Sequence, residues 1–397
     1  MSTKFDLSKG LGGALIVGGT AIGAGMLALP VATALGGFVP AVVMYFLCWL
    51  FSIATGFLFL EICIWMPKGA NINTMASELL GPIGKWCAWL LYIFLYYTLT
   101  IAYIDLGGEF IQAILGSWLP ARAGIVIFTL VFATFVYAGA RAVDKINLIL
   151  MVGLVAAYLA FVTIGVRSVD FSMLSSRNWG AALLALPVLF GSFGYQATLP
   201  TLYEYLEKNV KLMRFAIVVG TAIPFVIYCL WEYLILGIVP VYGANGLEWA
   251  LKNGKSAVEP LRHLFPNSDI FLVGQFFSFF ALTTSFLGVT LGLRDFLADA
   301  LKVEKTRIKK LWLCLGIFVP AVIIAMLNPN IFITALGYAG GIGCALLLGL
   351  YPVMMAWVGR YKKHFSAPPQ LFGGKIMLVV LALFVFFELG IQVISKI

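Results

Sequence analysis

Long apolar runs with few charges are the feature that most constrains how this chain folds. Several windows of about 18 or more residues carry few or no charged side chains, and a helix of that length spans a hydrocarbon layer roughly 30 Å thick. Of the 397 residues, 62% are hydrophobic and 11% are charged. A soluble domain is about 45–50% apolar and about 25% charged. The sequence therefore predicts an all-α integral membrane protein.

The apolar runs predict eleven transmembrane helices in a single transmembrane domain covering residues 1–397. The first run is too long, and too closely followed by the next, to be a cleaved signal peptide. The segment from Val241 to Asn267 is predicted to be an extramembrane loop with one short helix that carries Leu247, Leu251, Val258 and Leu261. The predicted spans are 11–34, 38–65, 86–114, 121–140, 145–166, 180–205, 213–239, 268–294, 310–327, 331–358 and 374–395.

The distribution of lysine and arginine predicts the orientation of the chain, because cytoplasmic loops carry an excess of these residues. With the amino terminus inside, nineteen of the 26 basic residues, Lys4 and Lys305 among them, lie on the cytoplasmic side, and Lys396 is among the other seven. A cytoplasmic amino terminus and an external carboxyl terminus are therefore predicted. The net charge of +9 then follows from this topology and favours some attraction to anionic lipid headgroups of the membrane. It does not indicate nucleic acid as a partner.

The polar residues do not form the pattern of an enzyme or of a nucleotide-driven pump. The two histidines, His263 and His364, lie in predicted loops, which excludes a histidine metal site or a Ser-His-Asp triad within the spans. The loop G-x-x-x-x-G-K-[ST] is absent, and the G-x-G-x-x-A match at 23–28 follows no strand. We expect no catalytic residue, no metal and no cofactor. A channel or a membrane-embedded enzyme is the weaker alternative.

Glycines interrupt the first and the sixth apolar runs at corresponding places. The first run contains GGTAIGAGMLALP (Gly18–Pro30), and the sixth contains LFGSFGYQATLP (Leu189–Pro200). Two interrupted helices in corresponding positions indicate a transporter substrate site near the bilayer midplane. Non-helical backbone at that depth is tolerated only where it is buried in protein or lines a cavity. Close helix packing through small residues, or a simple proline kink, is the alternative.

The spacing of the two interruptions predicts an inverted repeat. The span with the second glycine-rich run starts five spans after the span with the first, so it enters the membrane from the opposite face. The predicted repeats cover about 10–166 and 180–358, and the helix at about 374–395 is appended to them. The predicted fold is thus a 5+5 inverted repeat with broken first and sixth helices.

Three stretches resemble the signature sequences of the bacterial aromatic amino acid permeases, the tyrosine- and tryptophan-specific group of the amino acid, polyamine and organocation superfamily. They are TAIGAGMLALP in the first span, SFGYQATLP in the sixth and TTSFLGVTLGLRDFLAD (Thr283–Asp299) in the eighth. The resemblance covers the whole chain. It implies a leucine-transporter-like fold and import of tyrosine or tryptophan by symport across the bacterial inner membrane. The stretch Gly194–Ala197 departs from the pattern, so the choice among aromatic substrates stays open.

An amino acid zwitterion fits a broken helix, because the upstream half ends in free carbonyls and the downstream half begins with free amides. The Ala24 and Gly25 amides are predicted to bind the carboxylate, and carbonyls near Ile22 and Phe190 the ammonium. Aromatic side chains near the breaks and on the third span are predicted to surround the substrate ring, although packing or lipid contact is their alternative role. The predicted substrate-binding residues are Ile22, Gly23, Ala24, Gly25, Met26, Tyr96, Tyr97, Phe190, Ser192, Phe193 and Tyr195.

Acids within the spans are candidates for ion coupling, since an acid at the helix centre costs about 2.5–3.5 kcal/mol on insertion scales. Asp105 and Glu109 share one face near the outer end of the third span, where solvation is the alternative. Glu232 and Glu388 also qualify, and Glu388 has a packing or oligomer role as its alternative.

Hydroxyls on the eighth span are the competing candidates for the coupling site. In a leucine-transporter-like fold, Thr283, Thr284 and Ser285 can hold sodium against first-span carbonyls, and bonding to the preceding helical turn is their alternative. The resemblance favours H+ as the coupling ion. A Na+-coupled carrier of broader neutral amino acids is the second hypothesis.

Overall fold

The computed structural model describes residues 6–116, 120, 122–266, 268–302 and 306–395, and every regular element in those ranges is a helix. Five positions named in the predictions lie outside these ranges. They are the basic residues Lys4, Lys305 and Lys396, the loop end at Asn267 and the start of the fourth span at residue 121.

The helices follow the predicted spans closely in most of the chain. The amino-terminal half contains α1 (Leu7–Ala21), α2 (Gly25–Thr33), α3 (Phe38–Trp65), α4 (Ile72–Leu115), α5 (Ala123–Ala138) and α6 (Ala140–Gly165). The second half contains α7 (Trp179–Leu183), α8 (Leu186–Ser192), α9 (Leu199–Tyr205), α10 (Val210–Ile238), α11 (Leu247–Lys252), α12 (Glu259–Leu264), α13 (Asp269–Ala300), α14 (Arg307–Leu327), α15 (Phe332–Tyr338), a π-helix (Ala339–Leu350), α16 (Tyr351–Tyr361) and α17 (Gly374–Ile394).

The described helices include fewer membrane-length segments than the eleven predicted spans. Within the described ranges, eight helices are long and apolar enough to cross a membrane, and α1 with α2 would form a ninth span that bends by 57°. The fourth predicted span is the 16-residue helix α5. The sixth is a series of short helices in which α8 and α9 have seven residues each. The chain is an all-α multi-pass membrane protein, and the exact count of eleven stays a prediction.

The prediction that the first span is broken is confirmed. Ile22 leaves the helical conformation with φ −74° and ψ 109°, and α2 begins three residues later. A methyl group on Gly23 would overlap Ser285 Oγ, and one on Gly25 would lie 2.9 Å from Ser192 Oγ. Glycine is needed at both positions because α8 and α13 pack directly against the break.

The sixth span is broken between α8 and the 3₁₀ turn at Gln196–Thr198, as predicted. The backbone amide of Tyr195 donates to Gln196 Oε1 at 2.9 Å, and Gln196 Nε2 donates to Thr55 Oγ1 on α3 at 2.9 Å. Irregular backbone within a membrane must find hydrogen-bond partners inside the protein. The glutamine side chain supplies one and anchors the break to α3.

Three details differ from the sequence prediction. The third span lies within the longer helix α4, where Gly81 (φ 77°) bends the chain ahead of Pro82. The tenth span contains the π-helix, in which the bare Gly340 lies against the Pro187 carbonyl of α8. The loop after α10 holds two short helices, α11 and α12, instead of one, because Asn253 and Gly254 (φ 61°) end the first of them.

Candidate functional site

The two helix breaks meet at a cavity of about 470 Å³. Its lining includes Ile22, Gly23 and Gly25 from the first break, and Ser192, Gly194 and Tyr195 from the second. A volume of this size is typical of sites for small organic ligands. The breaks therefore form one site, as the paired glycine runs predict.

Tyr228 of α10 links the two breaks. Its hydroxyl lies 2.6 Å from the Ala21 carbonyl oxygen and 2.9 Å from the Ser192 carbonyl oxygen, and its single hydrogen is shared between them. Tyr228 is fully buried and packs edge to face on Phe193, with ring centroids 5.2 Å apart. The last carbonyls of α1 and α8 are thus held by one donor, which fixes the relative position of the two half-helices.

The start of α2 presents amide donors at the break. The Met26 and Leu27 amides bond back to the Gly23 and Ala24 carbonyls at 3.0 and 3.1 Å. The amides that precede them have no partner within the helix, since the first four N–H groups of a helix lack one. Such an N-terminus attracts anions. A carboxylate at Gly25 would meet this group of donors.

Six of the eleven predicted binding residues line the cavity: Ile22, Gly23, Gly25, Tyr96, Ser192 and Tyr195. Tyr96 stacks on Tyr92 with ring centroids 4.2 Å apart, and the buried Tyr195 donates its hydroxyl to the Ser52 carbonyl at 3.0 Å. Both rings are therefore held in place at the cavity wall.

The other five predicted residues lie outside the cavity lining. Ala24 and Met26 are fully buried in the apolar core. Phe190 packs on Phe51 with ring centroids 5.0 Å apart. For all of these residues a direct contact with the substrate stays a prediction.

The two remaining members of that set have partners in the surrounding helices. Phe193 packs between Tyr45 and Tyr228, with centroid distances of 6.5 and 5.2 Å. Tyr97 donates its hydroxyl to the Gly316 carbonyl of α14 at 2.5 Å. Their rings contribute to packing between helices in this conformation.

Several cavity residues were not predicted from the sequence. Tyr103 lies on the same face of α4 as Tyr96, seven positions further along the helix. This helical spacing is the sequence feature that could have identified it. Asn147 and Met151 enter from α6, and Gly288 enters from α13. Asn147 is the informative one, because its buried Oδ1 has no hydrogen-bond partner in the described part of the protein. A single amide side chain inside an apolar span is the sequence feature that could have identified Asn147.

The eighth-span hydroxyls lie at the first break. Thr284 and Ser285 line the cavity, and Ser285 Oγ occupies the space beside Gly23 that a side chain would need. Thr284 donates to the Phe280 carbonyl at 2.9 Å, which is the bonding to the preceding turn given above as its alternative. Thr283 is fully buried, and its hydroxyl has no partner among the described residues.

The two acids of α4 lie away from the cavity. Asp105 Oδ2 accepts the Phe332 amide at the start of α15 at 3.1 Å. Glu109 pairs with Lys255 from the loop after α10, with 2.5 Å between Oε1 and Nζ. Neither acid is part of the cavity lining. Their proton-coupling role stays a prediction.

The cavity opens toward the end at which α1 begins. Its lining continues along α1 through Ile16 and Thr20, and along the second break to Thr198. At the other end the loop after α10 packs onto α2, where the Ala257 amide donates to the Leu27 carbonyl at 2.9 Å. The structure is therefore open on one side of the breaks and closed on the other.

Comparisons with known proteins assign the chain to a family. A model described as the tryptophan/tyrosine permease family matches residues 7–392. The chain belongs to this family. Its members are permeases, so the chain is a permease and not an enzyme.

Curated relatives cover nearly the full length of this permease. It is 32% identical over 380 residues to the tyrosine-specific transport system 1 of Haemophilus influenzae, with 94% of each chain covered. It is 33% identical over 393 residues to a tryptophan-specific transport protein of the same organism, with 94% and 93% of the two chains covered. Both relatives are named as transporters of aromatic amino acids.

A solved structure shares the fold. The crystal structure of MhsT in complex with L-phenylalanine matches with a TM-score of 0.64 at 16% sequence identity, and covers 98% of each chain. The chain thus has the predicted leucine-transporter-like fold.

Proposed function

We propose that this permease imports tyrosine or tryptophan by symport with protons through alternating access. The observation that supports this proposal most directly is the cavity at the two breaks. There, amide donors at the start of α2 share one space with the rings of Tyr96, Tyr103 and Tyr195. The donors suit a carboxylate and the rings suit an aromatic side chain, with about 0.5–1.5 kcal/mol from each ring contact beyond area burial. The names of the relatives support this substrate class.

The orientation and repeat organisation belong to the same proposal. The chain forms one transmembrane domain with repeats of about 10–166 and 180–358, and lies in the bacterial inner membrane with its amino terminus in the cytoplasm. In that orientation the cavity opens to the cytoplasm and the loop after α10 closes the outer side. Alternating access then requires the loop and α2 to separate while the opening beside α1 closes.

The proton assignment is supported by the resemblance, and its candidate residues are Asp105 and Glu109. A sodium-coupled carrier of broader neutral amino acids is the second candidate. It is favoured by Ser285 Oγ beside Gly23 and by the Thr283 hydroxyl, which has no partner among the described residues, since hydroxyl and carbonyl oxygens are the ligands that a hard cation prefers.

Uptake into proteoliposomes tests both parts of the proposal. Labelled tyrosine and tryptophan are supplied under an imposed pH gradient without sodium, and then under a sodium gradient at constant pH. Accumulation driven by the pH gradient, with competition by aromatic amino acids but not by leucine or lysine, is the expected result. Accumulation only with sodium would contradict proton coupling, and equal competition by leucine would contradict an aromatic pocket.

A further inference from the structure

A buried carboxyl group lies behind the outer half of the broken first span, outside the substrate cavity. Glu232 of α10 is fully buried. Its Oε1 lies 2.5 Å from Thr33 Oγ1, and its Oε2 accepts the Tyr45 hydroxyl at 2.6 Å. Thr33 is the last residue of α2 and Tyr45 lies in α3. One carboxyl group therefore joins three elements, and one of them is the half-helix that carries the substrate-binding amides.

No positive charge compensates this carboxyl group in the described part of the protein. Glu232 forms no ion pair, and the titratable groups that face it are Tyr45 from α3 and Cys229 from its own helix. On α6, Tyr158 lies beside Cys229. The charged residues on the elements packed against α10 lie toward its two ends, with Arg167 and Asp170 near the outer end and, toward the inner end, Lys9, Glu61, Arg141, Asp144, Lys145 and Glu204.

The hydrogen bonds can be arranged in two ways that differ by one proton. Thr33 Oγ1 lies within bonding distance of both Glu232 and the Leu29 carbonyl, at 2.5 and 2.8 Å, but it has one hydrogen to donate. If Glu232 is neutral, it donates to Thr33, which donates to Leu29, and each oxygen is satisfied. If Glu232 is charged, the Thr33 hydroxyl donates its hydrogen to the carboxylate, and the Leu29 carbonyl loses this hydrogen bond.

The packed arrangement favours the neutral form. A carboxylate at this position would be stabilised by two uncharged hydroxyls alone, and burying an unpaired charge in apolar surroundings is costly. If α2 moved away from α10, Thr33 would leave and water could replace it. The charged form would then gain solvation. Protonation of Glu232 and packing of α2 are therefore linked, since each favours the other.

We infer that Glu232 is a proton-binding site that takes up a proton from the outer side when α2 packs against α3 and α10, and releases it when α2 moves away. The site lies two turns from the end of α10 at Ile238, on the side opposite to the cavity opening. The side from which the proton comes rests on the proposed orientation, and otherwise the inference goes beyond the proposed function, because it holds whether the coupling ion is a proton or sodium.

Infrared difference spectra of the purified permease in nanodiscs, recorded between acidic and alkaline buffer, test the inference directly. The wild-type protein is expected to gain the carbonyl stretch of a protonated carboxyl group at acidic pH. Glu232→Gln is expected to lose that signal. The matched control Glu388→Gln, which alters another fully buried acid, is expected to keep it. The same difference spectrum from Glu232→Gln and wild type would overturn the inference.

Two further variants keep the inference testable if Glu232→Gln does not fold. Tyr45→Phe and Thr33→Val each remove one hydroxyl but leave the carboxyl group. Loss of either partner is expected to shift the carbonyl stretch and to change the proton affinity of the site about tenfold, which is about one pH unit. An unchanged band and midpoint in both variants would overturn the inference. Failure of wild-type aromatic uptake would contradict the proposed function and leave these spectra unaffected.

Discussion

The Lys255 ammonium lies 2.5 Å from Glu109 Oε1 and fastens the loop after α10 to the end of α4. Lys255 also donates to Asn330 Oδ1 at 2.8 Å, just ahead of α15. The Lys255 and Glu109 side chains are 20% and 26% exposed, so the pair is largely shielded from water. One lysine thus connects three parts of the chain on the closed side of the cavity.

Breaking this ion pair should open the closed side. Removing one partner of a shielded pair leaves the other uncompensated, and a loss of about 1.4 kcal/mol changes an equilibrium about tenfold. We expect Glu109→Gln to raise the labelling rate of a cysteine at Ala257, which is fully buried here, by about tenfold with a membrane-impermeant thiol reagent. The background is Cys87→Ser, because Cys87 is exposed.

A control on the same loop separates this effect from a general loss of charge. Glu248 pairs with Lys252 at 2.8 Å, but the Lys252 side chain is 70% exposed, so Glu248→Gln should leave the labelling of residue 257 unchanged. Exchange of the charges in Glu109→Lys with Lys255→Glu should restore slow labelling. Equal labelling of Glu109→Gln and its parent would show that the pair does not hold the loop.

Gly25→Leu is expected to abolish substrate binding while the protein still inserts and folds. A single added carbon at Gly25 already lies 2.9 Å from Ser192 Oγ, so the larger side chain must occupy the cavity beside the α2 amides. Scintillation proximity binding of labelled tryptophan or tyrosine measures the effect. Gly316→Leu is the matched control, because a side-chain carbon added there meets no described atom within 4 Å, and it should bind normally. Undiminished affinity of Gly25→Leu would remove Gly25 from the site.

The sequence predicts the two breaks because glycine-rich runs interrupt two apolar spans at corresponding places. It does not predict which aromatic rings face the cavity. Phe190 and Phe193 flank the second break, but α8 turns them toward Phe51 and Tyr228, and only Tyr195 of that group lines the cavity. The direction of each ring depends on how the helices rotate in the bundle, and a local sequence pattern does not contain that information.

The distant partners of the two α4 acids cannot be predicted from the sequence. Glu109 and Asp105 were predicted as a pair on one helix face, and that spacing is present in α4. Their partners Lys255 and Phe332 come from segments 146 and 227 residues away. The pattern of apolar spans does not predict a contact between segments so far apart in the sequence. Intramembrane acids can therefore be found from sequence, whereas their partners require the fold.

Asn147 is expected to contribute to the choice among aromatic substrates. Its Oδ1 is buried at the cavity without a hydrogen-bond partner in the described structure, so it can accept from an indole N–H or a phenol O–H. Phenylalanine has no such donor on its ring. Asn147→Leu should lower the preference for tryptophan and tyrosine over phenylalanine by about tenfold, as one lost hydrogen bond of about 1–1.5 kcal/mol implies.

Competition assays measure this preference as the ratio of inhibition constants. Met151→Leu, four residues further along α6 and also at the cavity, is the matched control, because it keeps an apolar side chain of similar volume. The ratio should be unchanged in the control. An unchanged ratio in Asn147→Leu would mean that the amide does not recognise the ring.

The proposed orientation predicts opposite locations for two accessible sites. A reporter that is active only in the cytoplasm should be inactive when fused after residue 397, and active when inserted after His364 in the loop between α16 and α17. His364 and its neighbours Lys362 and Lys363 are exposed and basic, as cytoplasmic loops tend to be. Activity at both positions would contradict an external carboxyl terminus and the odd number of spans.

Glu388 is expected to cost stability without serving transport. It is fully buried in α17, and neither carboxyl oxygen has a hydrogen-bond partner in the described ranges, nor does Nε2 of the neighbouring Gln392. The carboxyl group faces Gly341 in the π-helix, away from the substrate cavity. A buried polar group without a partner costs about 1–3 kcal/mol, so Glu388→Met should raise the melting temperature and leave uptake unchanged.

Gln370→Met is the matched control, because it removes a buried side chain that is hydrogen-bonded. The Gln370 side chain accepts from Arg214 at 3.3 Å, so this variant should lower the melting temperature. A lower melting temperature for Glu388→Met would indicate a bound water or ion at the carboxyl group, and loss of uptake would instead give Glu388 a role in transport.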